Sequence, residues 1–266
     1  MGNKVKKEES IVEHFAKRSI KYDSISLWVK NETILENMLN FLPKDEKKYK
    51  ILDLGAGTGA VSKYILNNYK KSVEITAVDN CLPMLEKINE QKIQIVESDV
   101  GRMPFLDHSF DIVISRQCLH YVENIDEAMS EVRRVMKKDG VFILGQIVPF
   151  DSVTAQYWKE ITQIRQPFRR WYFTAEQWNQ KLEQNNFKIL KSSRCVHQGS
   201  INAWIKKYNV TERNLIEKYK QMLLEADNHY KQIYSVQVNK NDVTYSAYWH
   251  IVKCILSSGH QETLLL

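Results

Sequence analysis

The stretch "YKILDLGAGTGAVSKYI", residues 49–65, decides the fold. An apolar run, "YKILDL" (49–54), reads as a buried strand. Ala60 to Asn67 then follows a helical period. Gly55, Gly57 and Gly59 stand between them. Glycines here permit positive φ, and without a Cβ the backbone can come close to a ligand. A bare strand-to-helix turn would not need three of them in five residues, so the turn is read as a ligand cradle.

The pattern around the turn repeats. "SVEITAV" (72–78), "KIQIVES" (92–98), "FDIVIS" (110–115) and "GVFILGQIV" (140–148) read as strands. "PMLEKINEQ" (83–91) and residues 124–137 read as the helices between them. The second is strongly amphipathic, and Asn124 with Glu127 forms a candidate capping box. Short apolar strands alternating with helices predict a parallel sheet covered on both faces. Ligands of such sheets bind beyond the carboxyl ends of the strands, where the winding reverses. Before the alternation, residues 8–40 read as two helices. After it come helices over 151–164 and 174–184 (Thr174 and Gln177 as a capping box), a strand over 187–196, a long helix over roughly 211–234 and a last strand over 243–255.

Two ligand classes compete for the glycine turn. Gly55-x-Gly57-x-x-Ala60 fits a dinucleotide fingerprint. Asp53-x-Gly55-x-Gly57-x-Gly59 instead resembles the signature of class I S-adenosylmethionine-dependent methyltransferases. Asp53 discriminates between them. A dinucleotide would bring a pyrophosphate to a carboxylate, whereas S-adenosylmethionine brings an ammonium and a sulfonium, both cationic. Asp79, ending "TAVDN", lies about twenty residues beyond the turn, where an acid holds ribose hydroxyls in either class.

The stretch from 97 to 144, with "SDV", "FDIVIS" and "RVMKKDG", resembles the rest of a methyltransferase core, closest to the methyltransferase type 11 group that includes the ubiquinone/menaquinone biosynthesis C-methyltransferases. The resemblance covers residues 49–148 well. It implies a Rossmann-like class I methyltransferase fold: a seven-stranded, mostly parallel sheet with helices on both faces, an antiparallel last strand and a helical cap. It implies S-adenosylmethionine as cofactor and transfer to an O, N or C nucleophile of a small molecule. The domain plan expected is an N-terminal helical cap, 1–42, and a methyltransferase domain, 43–266, with a helical insertion at roughly 200–240.

On that resemblance the donor would meet Asp53, Gly55, Ala56, Gly57, Gly59, Asp79, Asn80, Met84, Asp99, Val100 and Ser115, with Asp99 at the adenine amino group. "HFAKRSIKYDSISLW" (14–28) resembles the opening segment of this group and of the malonyl-carrier-protein O-methyltransferases, which puts Tyr22 over the donor; helix-end packing is the plainer reading of the same residues. His120 is the candidate general base, because its ordinary pKa lies near neutrality, against a plain packed ring. Arg116 and Gln117, after the fourth strand, and Arg169 and Tyr172, in the Arg- and aromatic-rich "RQPFRRWYFT" (165–174), are candidate acceptor contacts for an anionic or aromatic molecule.

Other classes have less support. No apolar run reaches a bilayer span, "MGNKVKKEES" lacks a secretory h-region, and Lys6 stands where a myristoylation motif needs Ser or Thr. Cys81, Cys118, Cys195 and Cys254 form no CxxC pair, which fits a reducing cytoplasm. The seven histidines show no metal-ligand spacing. The net charge of +6 is modest, and no base-flipping or RNA-binding motif accompanies it, so nucleic acid is not the expected partner. A homodimer through the long C-terminal helix, a dinucleotide oxidoreductase and a non-catalytic protein of the same fold stay open.

Overall fold

The computed structural model describes residues 9–26, 28–69, 71–202, 210–240 and 242–257. The myristoylation reading and parts of both expected caps therefore lie outside the described residues. The elements run α1 (Ile11–Arg18), α2 (Tyr22–Ile25), α3 (Glu32–Leu39), β1 (Tyr49–Leu54), α4 (Ala60–Asn68), β2 (Val73–Asp79), α5 (Leu82–Leu85), β3 (Ile93–Glu97) and β4 (Phe110–Arg116). They continue with α6 (Ile125–Val135), β5 (Met136–Val148), α7 (Ala155–Arg165), α8 (Ala175–Gln184), β6 (Phe187–Ser200), α9 (Val210–Glu225), α10 (Asn228–Ile233), β7 (Gln237–Asn239) and β8 (Asp242–Leu256).

The sheet order is β3-β2-β1-β4-β5-β8-β6, with β7 added to β8. The first five strands pair in parallel, and β8 runs antiparallel between β5 and β6. The winding reverses between β1 and β4, so the expected crevice lies beyond the carboxyl ends of these two strands, at Leu54 and Arg116.

Strand periodicity explains the layers. Successive side chains point to opposite faces. Ile51, Ile75, Ile112, Ile114 and Ile143 pack on one face with Ile34, Leu35 and Met38 of α3 and Val61 and Ile65 of α4. Leu52, Leu54, Val113, Phe142 and Leu144 pack on the other with α6 and with Trp178 and Leu182 of α8. Helix α6 buries Ile125, Met129, Val132 and Val135 almost completely, each worth about 1.5–3 kcal/mol relative to exposure. A third cluster joins Trp158 and Ile161 of α7 to Ile216, Tyr219 and Leu223 of α9, Tyr230 of α10 and Tyr245 of β8.

Several elements differ from expectation. The N-terminal segment makes three helices, and α3 belongs to the core of the sheet. The expected helix 83–91 stops at Leu85, because Lys87 and Ile88 bond back only three residues, to Met84 and Leu85, and tighten the chain out of the α ladder. The expected helix 211–234 breaks at Asp227, whose side chain accepts from the Tyr230 amide and caps a new helix. Asn124 accepts from the amides of Asp126 and Glu127 but forms no reciprocal box, whereas Thr174 and Gln177 do.

Candidate active site

A cavity of about 530 Å³ opens at the carboxyl ends of β1 and β4, a volume ordinary for a small-molecule site. Its floor is the glycine turn. Gly55 has φ 68°, and a Cβ there would come within 2.2 Å of the Cys118 side chain. Gly57 has φ 56°, and its amide donates to Asp79 Oδ2 at 2.9 Å. Both positions thus need glycine, and the cradle they form is one a side chain would fill.

Four carboxylates border this cavity, Asp53, Asp79, Asp99 and Glu123, and the last pairs with Arg170. Asp79, at the end of β2, accepts from the amides of Gly57 and Cys81, one on each oxygen. A carboxylate has about four acceptor positions, so each oxygen keeps one for a ligand hydroxyl. Burial raises its pKa, opposed by those backbone bonds. Asp99 is exposed, and its Oδ1 accepts from Gly101 N at 2.7 Å. Asp53 is 1% exposed, and its Oδ2 accepts from Ser62 N at 3.0 Å and Ser62 Oγ at 2.6 Å. Burial pushes Asp53 up to about 6, against the Ser62 bond and the nearby Arg116 charge. It is still mostly ionised at neutral pH.

Arg116 complements Asp53. It is buried, its Nη2 donates to Val29 O at 3.0 Å, and its Nη1 has no partner among the described residues. The guanidinium carbon lies 5.2 Å from the Trp28 ring centroid. Burial lowers its pKa to about 10, with Asp53 as the leading opposing charge. An acid beside an orphaned guanidinium suits a zwitterionic amino-acid group. Over this end lies the α1–α2 segment. Phe15 meets Tyr22 and Tyr121, and Tyr22 meets Trp28, in edge-on ring contacts. Asp23 accepts from Thr58 Oγ1 at 2.5 Å and ties the segment to the glycine turn.

Of the sequence candidates, Tyr22, Asp53, Gly55, Ala56, Gly57, Asp79, Asn80, Met84, Asp99, Val100, Arg116, Gln117 and Arg169 line this one cavity. Four do not. Gly59 caps α4 at φ 73° and packs on Ile88. Ser115 is fully buried and donates to Leu54 O, clamping β4 to β1. Tyr172 packs near Arg169 and Trp158, away from the lining. His120 is 0% exposed, with Nδ1 2.8 Å from Gln146 Oε1. Burial holds it neutral, its pKa well below the ordinary value. The ring does not line the cavity, and its Nε2 has no partner among the described residues.

The sequence reading missed Phe15, Trp28, Tyr121 and Phe168 in the lining. One signal existed for Phe15: α1 is amphipathic, yet none of its residues is buried, so its apolar side faces the cavity. Among the described residues no cluster of His, Cys, Asp and Glu suits a metal ion, and no helix is long and apolar enough to cross a membrane.

Comparison with known proteins agrees with the geometry. Residues 52–144 match the family described as "Methyltransferase domain". The uncharacterized methyltransferase YcgJ of Bacillus subtilis is 22% identical over 165 residues, covering 60% of this chain and 65% of YcgJ. Its crystal structure superposes with a TM-score of 0.72 at 20% identity, covering 86% of this chain and all (100%) of that one. The malonyl-[acyl-carrier protein] O-methyltransferase of Halorhodospira halophila is 29% identical over 135 residues, 48% of this chain and 45% of that enzyme. A Haemonchus contortus phosphoethanolamine N-methyltransferase, solved with S-adenosyl-L-methionine, has a TM-score of 0.57 at 18% identity, covering 94% of this chain and 61% of that one. The chain thus spans about two thirds of one curated relative and under half of another.

Proposed function

Residues 52–144 are a methyltransferase domain set in a class I methyltransferase fold, and from that premise we propose that the chain transfers the methyl group of S-adenosylmethionine to a small-molecule acceptor. The nucleophile is an O, N or C atom, and the other product is S-adenosylhomocysteine. One observation carries the reading: Asp53, Asp79 and Asp99 border a single cavity whose floor is a positive-φ glycine turn. A cationic nucleoside gains from that charge, whereas the diphosphate of a nicotinamide dinucleotide would be repelled by it.

The residues divide the donor between them. Asp79 accepts from the ribose hydroxyls, and Asp99 with the Val100 backbone takes the adenine edge, beside the apolar wall of Met84. Asp53 faces the ammonium side of the amino-acid end, and Arg116 Nη1 takes its carboxylate. When bound, the cofactor supplies an electrophilic methyl group on a sulfonium. The chain's part is alignment and exclusion of water. Phe15, Tyr22, Trp28 and Tyr121 close an aromatic wall over the reacting centre. A sulfonium meeting an anionic nucleophile cancels charge and one meeting a neutral nucleophile disperses it, so a dry wall favours the step. With His120 buried and outside the cavity lining, the reaction as proposed uses positioning without a histidine base.

The cap reading attaches to α1 and α2, which line the cavity. The four cysteines are unpaired and three of them are buried, which supports a reducing compartment. Methyl transfer from radiolabelled S-adenosylmethionine into a fractionated metabolite pool tests the proposal. Labelled product and S-adenosylhomocysteine in equal amounts are expected, and donor binding without any turnover would instead favour a non-catalytic role.

A further inference from the structure

Arg169 stands in an unusual place for a cation. It is 4% exposed and lines both the main cavity and a smaller chamber of about 40 Å³ behind it. Its Nε donates to Trp171 O at 3.0 Å, Nη1 to Gln166 Oε1 at 3.0 Å and Nη2 to Ile147 O at 2.9 Å. All three acceptors are neutral. A guanidinium carries five N–H groups, so two are left over from these bonds. The Trp158 and Tyr172 rings flank it, with centroids 4.9 and 5.4 Å away. Among the described residues no carboxylate forms an ion pair with it. The neighbouring Arg170 does pair, with Glu123 at 3.8 Å, and Arg134 pairs with Glu131 and Asp107. Burial drags the Arg169 pKa down to about 10, and only Tyr121 and Tyr172 oppose the shift. A buried cation with no counter-ion is costly unless something supplies the charge.

A second feature faces the same cavity. Gln117 is 8% exposed, and neither atom of its side-chain amide has a hydrogen-bond partner among the described residues. Its backbone is left-handed, φ 57°, a conformation that costs a non-glycine residue about 1–3 kcal/mol. Gln117 N is held to Gly145 O at 3.0 Å, which fixes the turn beside the cavity that Gln117 lines.

We infer that the acceptor carries an oxyanion, a carboxylate or a phosphate, that seats on the Arg169 guanidinium and takes a further contact from the Gln117 amide. The inference rests on the methyltransferase reading of the cavity. It makes Arg169 the specificity-determining residue. An anionic acceptor supplies the missing counter-charge, and a protonated amine at the same place meets a like charge in a low-dielectric wall.

Arg169 also staples the 166–171 loop to β5 through Ile147 O, so the test must separate a ligand contact from a brace. Calorimetry is run on protein saturated with S-adenosylhomocysteine, at fixed ionic strength, with benzoate, inorganic phosphate and benzylammonium as probes. Saturable binding of benzoate or phosphate is expected, at least tenfold weaker in Arg169→Gln and partly kept in Arg169→Lys. Whichever anion binds tells carboxylate from phosphate. Absence of saturable anion binding, equal binding by Arg169→Gln, or tighter binding of benzylammonium overturns the inference. S-adenosylhomocysteine affinity, measured first on the wild-type protein, separates the two levels: no binding there defeats the methyltransferase reading itself. Should Arg169→Gln not fold, wild-type crystals soaked with S-adenosylhomocysteine and the same anions decide. An anion oxygen within hydrogen-bond distance of Arg169 supports the inference, and anions seated elsewhere or nowhere overturn it.

Discussion

Replacing Asp79 by alanine removes the group proposed to hold the donor's ribose. This carboxylate accepts from Gly57 N at 2.9 Å and from Cys81 N at 3.0 Å. It therefore shapes the turn and leaves one acceptor position on each oxygen for a hydroxyl. Two charge-assisted bonds to the ribose are worth about 1.5–3 kcal/mol each. The lower ends sum to about 3 kcal/mol, or roughly a 150-fold loss of affinity. Asp79 and Gly57 are partly exposed, so water can reach the Gly57 amide after the change and the fold should survive, which a melting curve checks. Calorimetry compares S-adenosylhomocysteine with methylthioadenosine, which has the ribose but no amino-acid end. Both should weaken by a similar factor. A loss below threefold, or a loss confined to S-adenosylhomocysteine, would refute the assignment of Asp79 to the ribose.

Arg116→Gln should show the complementary pattern: S-adenosylhomocysteine at least tenfold weaker, methylthioadenosine unchanged, since only the former brings a carboxylate to Arg116 Nη1. Affinity for S-adenosylhomocysteine should rise from pH 5 to pH 7 and flatten above. Asp53, raised to about 6 by burial, must ionise to attract the ammonium, with a slope of up to about tenfold per pH unit below that value. A flat profile would contradict it. Stability should fall as pH drops from 6.5 toward 4. His120, His197 and His250 are buried with lowered pKa values, the last two at about 4, so the unfolded chain binds their protons first and the folded state loses stability as pH falls. Asp53 and Asp79 work in the opposite sense, since burial raises both carboxyls and so favours the folded state as pH falls. Three histidines against two carboxylates leave about one proton, or roughly 1.4 kcal/mol per pH unit near pH 5, measurable by denaturant titration.

Much of the sheet was legible because its signals are local. Strands β1, β2 and β4 and residues 141–148 of β5 are short apolar runs, largely buried on both faces, and a positive-φ glycine turn follows the first. Asp53 was legible because charge at a turn sorts ligands by sign, and Asp79 because it ends the next strand about twenty residues on. The rest depends on contacts between distant segments. Nothing near Pro83 marks how early α5 ends. The break at Asp227 did have a local signal, a capping acid inside an apolar pattern that periodicity alone runs across. His120 shows the deeper limit. Counting along from β4 puts it beside the methyl group, but the chain turns through left-handed geometry at Gln117 and buries the ring against Gln146. The backbone of His120 is then covered by the 165–173 loop, where Arg170 N and Trp171 N both donate to its carbonyl. That loop also explains Arg169, whose buried position follows from a carbonyl of β5 over twenty residues earlier in the chain. No local pattern encodes such a contact.

The most direct test of the whole account is a crystal structure with S-adenosylhomocysteine soaked in. The account predicts the nucleoside in the 530 Å³ cavity, ribose hydroxyls on Asp79, adenine at Asp99 and Val100, and the amino-acid end between Asp53 and Arg116. A cavity left vacant at saturating ligand, or one that takes a nicotinamide dinucleotide in its place, would contradict it.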